Sequence, residues 1–129
     1  MTLAEIRSMA MFQSNNDEED LYEFQPALDM YINEGYDKLA EAYSDGHIDD
    51  DSNLYPSLTE ADDEPNLPSW CHRALADYGT YLIYRNGNVT KQNRSIPYLQ
   101  LFNEMLIKVR QAGSKRNGKL HFFNLYKEV

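Results

Sequence analysis

With 129 residues and a formal charge of −9, the chain has the size of one domain with a modest core, since small domains bury about 60–70% of their unfolded surface. No apolar run approaches the roughly 18–20 residues that span a bilayer. The opening residues, with Glu5 and Arg7 among scattered apolar ones, do not read as a signal peptide, so a soluble protein kept inside the cell that makes it is expected.

Thr2 followed by Glu5 is a capping box and predicts a first helix over about 3–12. After Asn15, Asn16 and the acidic run Asp17–Asp20, the residues Leu21, Phe24, Leu28, Ile32, Tyr36, Leu39 and Tyr43 recur at three- and four-residue spacing. That spacing is one face of a second helix. Its end is expected near Asp45, and its regular part is expected to begin close to Pro26, because an interior proline loses a hydrogen bond. From Gly46 to Asn66 the sequence is rich in acids and turn formers and has no period, which predicts a long, mobile acidic loop.

A third helix is expected over about 69–85, opened by Pro68 and stopped by Asn86-Gly87, where glycine supplies a helix-ending turn. At 100° per residue Trp70, Cys71, Ala74, Leu75, Tyr78, Tyr81 and Leu82 fill one arc, with Ile83 and Tyr84 outside it. That much apolar surface predicts either the central helix of a bundle or a helix that touches a second protein through Ile83 and Tyr84. Cys71, the single cysteine, reads as a small buried hydrophobe, since no paired base stands near it.

Ser95 is expected to cap a fourth helix with Pro97 in its first turn and a buried stripe of Tyr98, Leu99, Phe102, Met105, Leu106 and Val109, running to about Ala112. Beyond Gly113 the chain turns basic and then aromatic, which reads as an extended C-terminal arm over 113–129 attached to a domain of residues 1–112. Its apolar residues can fold back on their own bundle or dock on another subunit. The fold expected is all-α, a small bundle of about four helices. Of the ten tyrosines, Tyr36 and Tyr78 are assigned to the core, and Tyr84, Tyr55 and Tyr126 to contacts.

Charge is unevenly divided. Residues 1–69 hold 18 of the 21 acids against Arg7 and Lys38, about −16, and residues 70–129 hold three acids against ten Lys or Arg, about +7. Opposite poles can pair with neighbouring copies or with separate surfaces of an assembly, or they can be solvated faces. The acidic loop fails the calcium-loop pattern, because Leu54 and Pro56 stand where a glycine turn is needed in one register and Ser52 replaces the closing Glu in the other. His47, His72 and His121 have no metal-ligand spacing. With no nucleophile or phosphate-loop motif either, neither an enzyme nor a metal or cofactor is expected.

The stretch Leu67 to Ser95 carries a Leu67-Pro68 helix opening, an Ala76-Asp77-Tyr78 turn and an Asn86-Gly87-Asn88 turn. In these it resembles the head-tail connector, or adaptor, proteins of tailed bacteriophages, and the likeness extends more loosely over about 28–109. The resemblance implies a non-enzymatic virion protein of the neck: a ring of commonly about twelve copies, bound below the portal protein. Such a ring extends the channel for packaged DNA, which passes without specific binding, and offers a platform to the next tail or neck protein. It further implies that the arm grips the portal, through Lys115, Arg116, Lys119, Leu120, Phe122, Phe123, Leu125 and Tyr126. The acidic loop, with Asp49, Asp50, Asp51, Asp62, Asp63 and Glu64, would then face the channel or the tail, and Ile83 and Tyr84 would join subunits. The loop and the Phe122-Phe123 arm match no family motif, so both assignments rest on composition. A second expectation is a small acidic phage inhibitor that mimics DNA and occupies a host nucleic-acid enzyme, against which the +7 half argues. A third, a stopper or tail terminator, conflicts with the helical periodicity.

Overall fold

Thr2 Oγ1 accepts from the Glu5 backbone N–H at 3.2 Å, and Glu5 Oε1 accepts from the Thr2 backbone N–H at 3.3 Å. Each side chain thus satisfies a donor that a helix start leaves open. The computed structural model describes residues 1–14, 18–44, 54–87 and 89–127, with side chains for all of these except 18–24 and 116–127. The described helices are α1 (Leu3–Gln13), α2 (Glu18–Tyr43), α3 (Arg73–Arg85) and α4 (Val89–Lys127), and a 3₁₀ turn, Ser69–Cys71, leads into α3. There is no strand among the described residues, and the helices pack on one another as a small all-α bundle.

α3 is its centre. It packs on α1, α2 and α4, and nine of its thirteen residues are buried, which accounts for an apolar arc too broad for a one-sided helix. Its N–H and carbonyl groups run out at Asn86 and Gly87, whose backbone N–H groups donate to the Leu82 and Tyr84 carbonyls. Tyr36 and Tyr78 lie in the core. The Tyr78 ring packs 4.6 Å from that of Phe102, and its hydroxyl donates to Glu34 Oε1 at 2.9 Å, so the phenol keeps a polar partner at the edge of the core.

Close approach is bought with glycine. A Cβ on Gly35 would lie 3.1 Å from the Tyr78 side chain, and one on Gly79 would lie 3.0 Å from Leu28 Cδ1, so α2 and α3 meet nearer than larger residues allow. Gly113 is the extreme case, because a Cβ there would come within 2.1 Å of the Tyr43 carbonyl oxygen at the end of α2.

That contact corrects the expected end of the last helix. Gly113 is a place where one helix crosses another, so α4 continues through it to Lys127. The expected beginning is also displaced: α4 opens at Val89, and Ser95 lies inside it, buried, with its hydroxyl donating to the Gln92 carbonyl three residues back. Ser95 therefore caps nothing, and Pro97 is an interior residue on the exposed side. α2 likewise starts eight residues before Pro26, whose exposed ring turns away from the core. Trp70 is a fourth correction: it falls in the 3₁₀ turn, where successive side chains are spaced about 120° apart, and is 49% exposed.

Candidate assembly interface

Residues 46–53 of the expected acidic loop lie outside the described residues, and from 54 onward the segment differs from the mobile loop expected of it. Residues 54–67 form a strap laid across α1 and α2. Asn33 on α2 holds it as a backbone would: Asn33 Oδ1 accepts from the Leu58 N–H at 2.7 Å, and Asn33 Nδ2 donates to the Leu58 carbonyl at 3.0 Å. Leu58 beside this pair is buried. Further along, the Asn66 N–H donates to the Tyr36 hydroxyl at 2.9 Å, and the Asp63 and Ala61 carbonyls accept from the Leu3 and Ala4 N–H groups that open α1. A strap that satisfies so many backbone groups is structural, and its composition alone concealed that.

Asp63 is spent inside the strap. Its carboxylate accepts from the Glu60 and Thr59 backbone N–H groups at 2.9 Å each, and these two bonds hold its pKa below the ordinary carboxylate value. Asp62 and Glu64 are exposed beside it, and Glu64 lies 3.7 Å from the Met1 amine. That amine also donates to His72 Nδ1 at 2.9 Å, which leaves His72 Nε2 to donate to the Leu67 carbonyl at 2.8 Å. Asp49, Asp50 and Asp51 lie outside the described residues.

Tyr84, expected at a subunit contact, is instead buried in its own bundle, 5% exposed. Its hydroxyl donates to the Gln13 carbonyl at 3.2 Å, and its ring stacks on Tyr98 at 5.9 Å. Gln13, at the end of α1, organises this region: its side chain donates to Asp77 Oδ1 at 3.1 Å and accepts from Thr80 Oγ1 at 2.7 Å. Burial raises the Asp77 pKa, opposed by the Gln13 bond and by Arg73. Ile83 is half-buried and lines a cleft with Ala27, Tyr31, Gly87 and Lys91, where Asn86 Nδ2 donates to the Tyr31 hydroxyl at 2.8 Å. Tyr55 sits edge-on to Tyr36 at 6.3 Å.

Of the arm, Lys115 is exposed. The backbone of Arg116, Lys119, Leu120, Phe122, Phe123, Leu125 and Tyr126 continues α4, and their side chains are outside the described set, as is any contact they make.

Two outward surfaces stand out, neither predicted from sequence. On α1, Ala4, Ser8 and Phe12 form an i, i+4 row, joined by Glu5 and Met9 in a shallow groove, with Phe12 82% exposed. On α4, Ile107, Gln111 and Ser114 form a second groove between Arg110 and Lys115, with Ile107 54% exposed. The only signal that could have found them is an apolar residue opposite a helix's buried stripe. No three His, Cys, Asp or Glu side chains converge as metal ligands among the described residues, and no described helix is long and apolar enough to cross a membrane. Cys71 is buried, and burial pushes its thiol up to about 11.

The chain matches no model of a known protein family, and no curated protein or solved structure matches it either.

Proposed function

We propose that this protein is a structural subunit of a phage neck, an adaptor that assembles as a ring below the portal, lengthens the DNA channel and receives the next tail component. The observation that carries the reading is the disposition of α4. This helix holds eight Lys or Arg against the single Glu104 and continues for fourteen residues past its crossing with α2 at Gly113, about 21 Å at the helical rise. A basic, aromatic helix end that outruns its crossing is suited to seizing a partner surface of opposite charge. The strap supports the same reading from the other pole. Residues 54–67 carry four acids and no Lys or Arg, and an acidic surface beside a channel repels phosphates, so DNA slides. The same cationic α4 speaks against a DNA mimic, which needs negative charge along its rigid helices.

Deleting 114–129 tests the reading. Removing these residues keeps Gly113 and the buried Val109, so the bundle is expected to stay helical by circular dichroism while it loses binding to the portal protein of the same genome, followed by mass photometry. Portal binding retained by the folded truncation would show that the arm is not the grip.

A further inference from the structure

We infer that the outer faces of α1 and α4 are the two halves of one head-to-tail contact between copies of this chain, with Phe12 of one copy entering the groove beside Ile107 of the next. The inference deepens the ring reading above and rests on its premise that the chain assembles with itself.

The chemistry of the two faces is complementary. Phe12 stands 82% exposed beside the small residues Ala4 and Ser8, leaving in water an apolar ring whose burial against a partner is favourable. The α4 face offers the opposite shape: at 100° per residue Ile107, Gln111 and Ser114 run along its middle, with Lys108 and Lys115 to one side and Arg110 to the other. Its rim is therefore mainly cationic, three Lys or Arg against Glu104, which lies one turn before Ile107 on the side of Lys108 and Lys115. The rim of the α1 face is anionic, built from Glu5 and from the strap acids Glu60 and Asp62; the strap is bonded to α1 through the Ala61 carbonyl and the Ala4 N–H. Rims of opposite sign select register and exclude the pairing of two like faces, since cations would then meet cations.

One copy cannot satisfy both faces itself, because each is the solvent side of a helix whose other side is packed in the bundle. Two different patches that fit each other make a heterologous contact, which closes into a ring or propagates as a filament, according to the rotation between neighbours.

The test is cross-linking of two differently tagged full-length chains, Ser8→Cys and Ser114→Cys, mixed and joined with a short bismaleimide. Cys71 supplies no competing thiolate, being buried with its thiol pushed up. The mixture should give heterotypic dimers at about ten times the yield of either chain alone, and Phe12→Ala or the double change Arg110→Glu, Lys115→Glu should lower that yield by about tenfold. Heterotypic yield no higher than that of the single chains, or products joined chiefly Ser8 to Ser8, overturns the contact. Portal binding, measured on the same chains, separates this outcome from failure of the adaptor reading. Portal binding without the heterotypic cross-link removes the α1–α4 contact and leaves the adaptor, and the cross-link without portal binding does the reverse.

Discussion

The seam where α2, α3 and α4 meet and the side where α1 and the strap lie on them are held by different physics. Along the seam, specificity is chiefly steric, with the Tyr78–Glu34 hydrogen bond at its edge: Gly35 admits Tyr78, Gly79 admits Leu28 and Gly113 admits the Tyr43 backbone. On the α1 and strap side, specificity lies in paired polar groups, with Gln13 between Asp77 and Thr80, Asn33 clasping Leu58, and Arg7 in a two-bond pair with Asp29 at 2.7 Å. A steric seam fails abruptly when volume is added and is indifferent to pH, whereas a polar side loses one hydrogen bond at a time and responds to protons.

The largest expected effect breaks the seam. In a helix Gly113→Ala should by propensity alone add up to about 1 kcal/mol, yet the new Cβ would meet the Tyr43 carbonyl at 2.1 Å, where backbone must move against backbone. The sign therefore reverses, to a loss of about 3 kcal/mol in urea unfolding; a stabilised variant would mean that α4 does not cross α2 there. On the polar side Asn33→Ala should cost less, about 2 kcal/mol, by removing three side-chain hydrogen bonds, one to the Asp29 carbonyl and two to the strap, and leaving the Leu58 N–H and carbonyl without partners. Its mark is local: amide exchange in 54–67 should quicken while that of α3 keeps its protection.

This division also explains what the sequence revealed. Period and caps are local properties, so Thr2 with Glu5, the core placing of Tyr36 and Tyr78, the Asn86-Gly87 stop and the helical class could all be read from neighbours in the chain. The errors fall where a residue's partner is remote. Gly113 reads as a stop until Tyr43 is brought against it, Tyr84 reads as surface until its hydroxyl finds the Gln13 carbonyl 71 residues away, and Leu58 reads as loop until Asn33 takes both its backbone groups. Of the candidate site, the charge division and the existence of a basic last segment were legible. The Phe12 and Ile107 faces were not, because what leaves them open is the packing of the rest of the bundle.

The smallest expected effect separates the two regions by pH. Burial raises the Asp77 pKa above that of the unfolded chain, so across the window from the ordinary carboxylate value up to the raised one the folded state binds more protons than the unfolded state. Stability from this residue is then fully present below the window, falls as pH rises through it and stays lowered above. Asp77→Asn keeps an oxygen to accept from Gln13 Nε2 and carries no charge to desolvate, so it should remove that slope and stabilise the protein at neutral pH by less than about 1 kcal/mol, a gain trimmed by the lost attraction to Arg73. The comparison is sharpened by repeating the titration on Gly79→Ala: its contact with Leu28 Cδ1 involves no ionisable group, so its stability should differ from the parent by the same amount at every pH from 4 to about 7. A pH-dependent offset in Gly79→Ala would mean that the steric seam and the polar side are coupled through α3. A constant offset there, beside loss of the Asp77 contribution to the slope in Asp77→Asn, would place that contribution in the Gln13 cluster, apart from the opposite one that the lowered pKa of Asp63 makes in the strap.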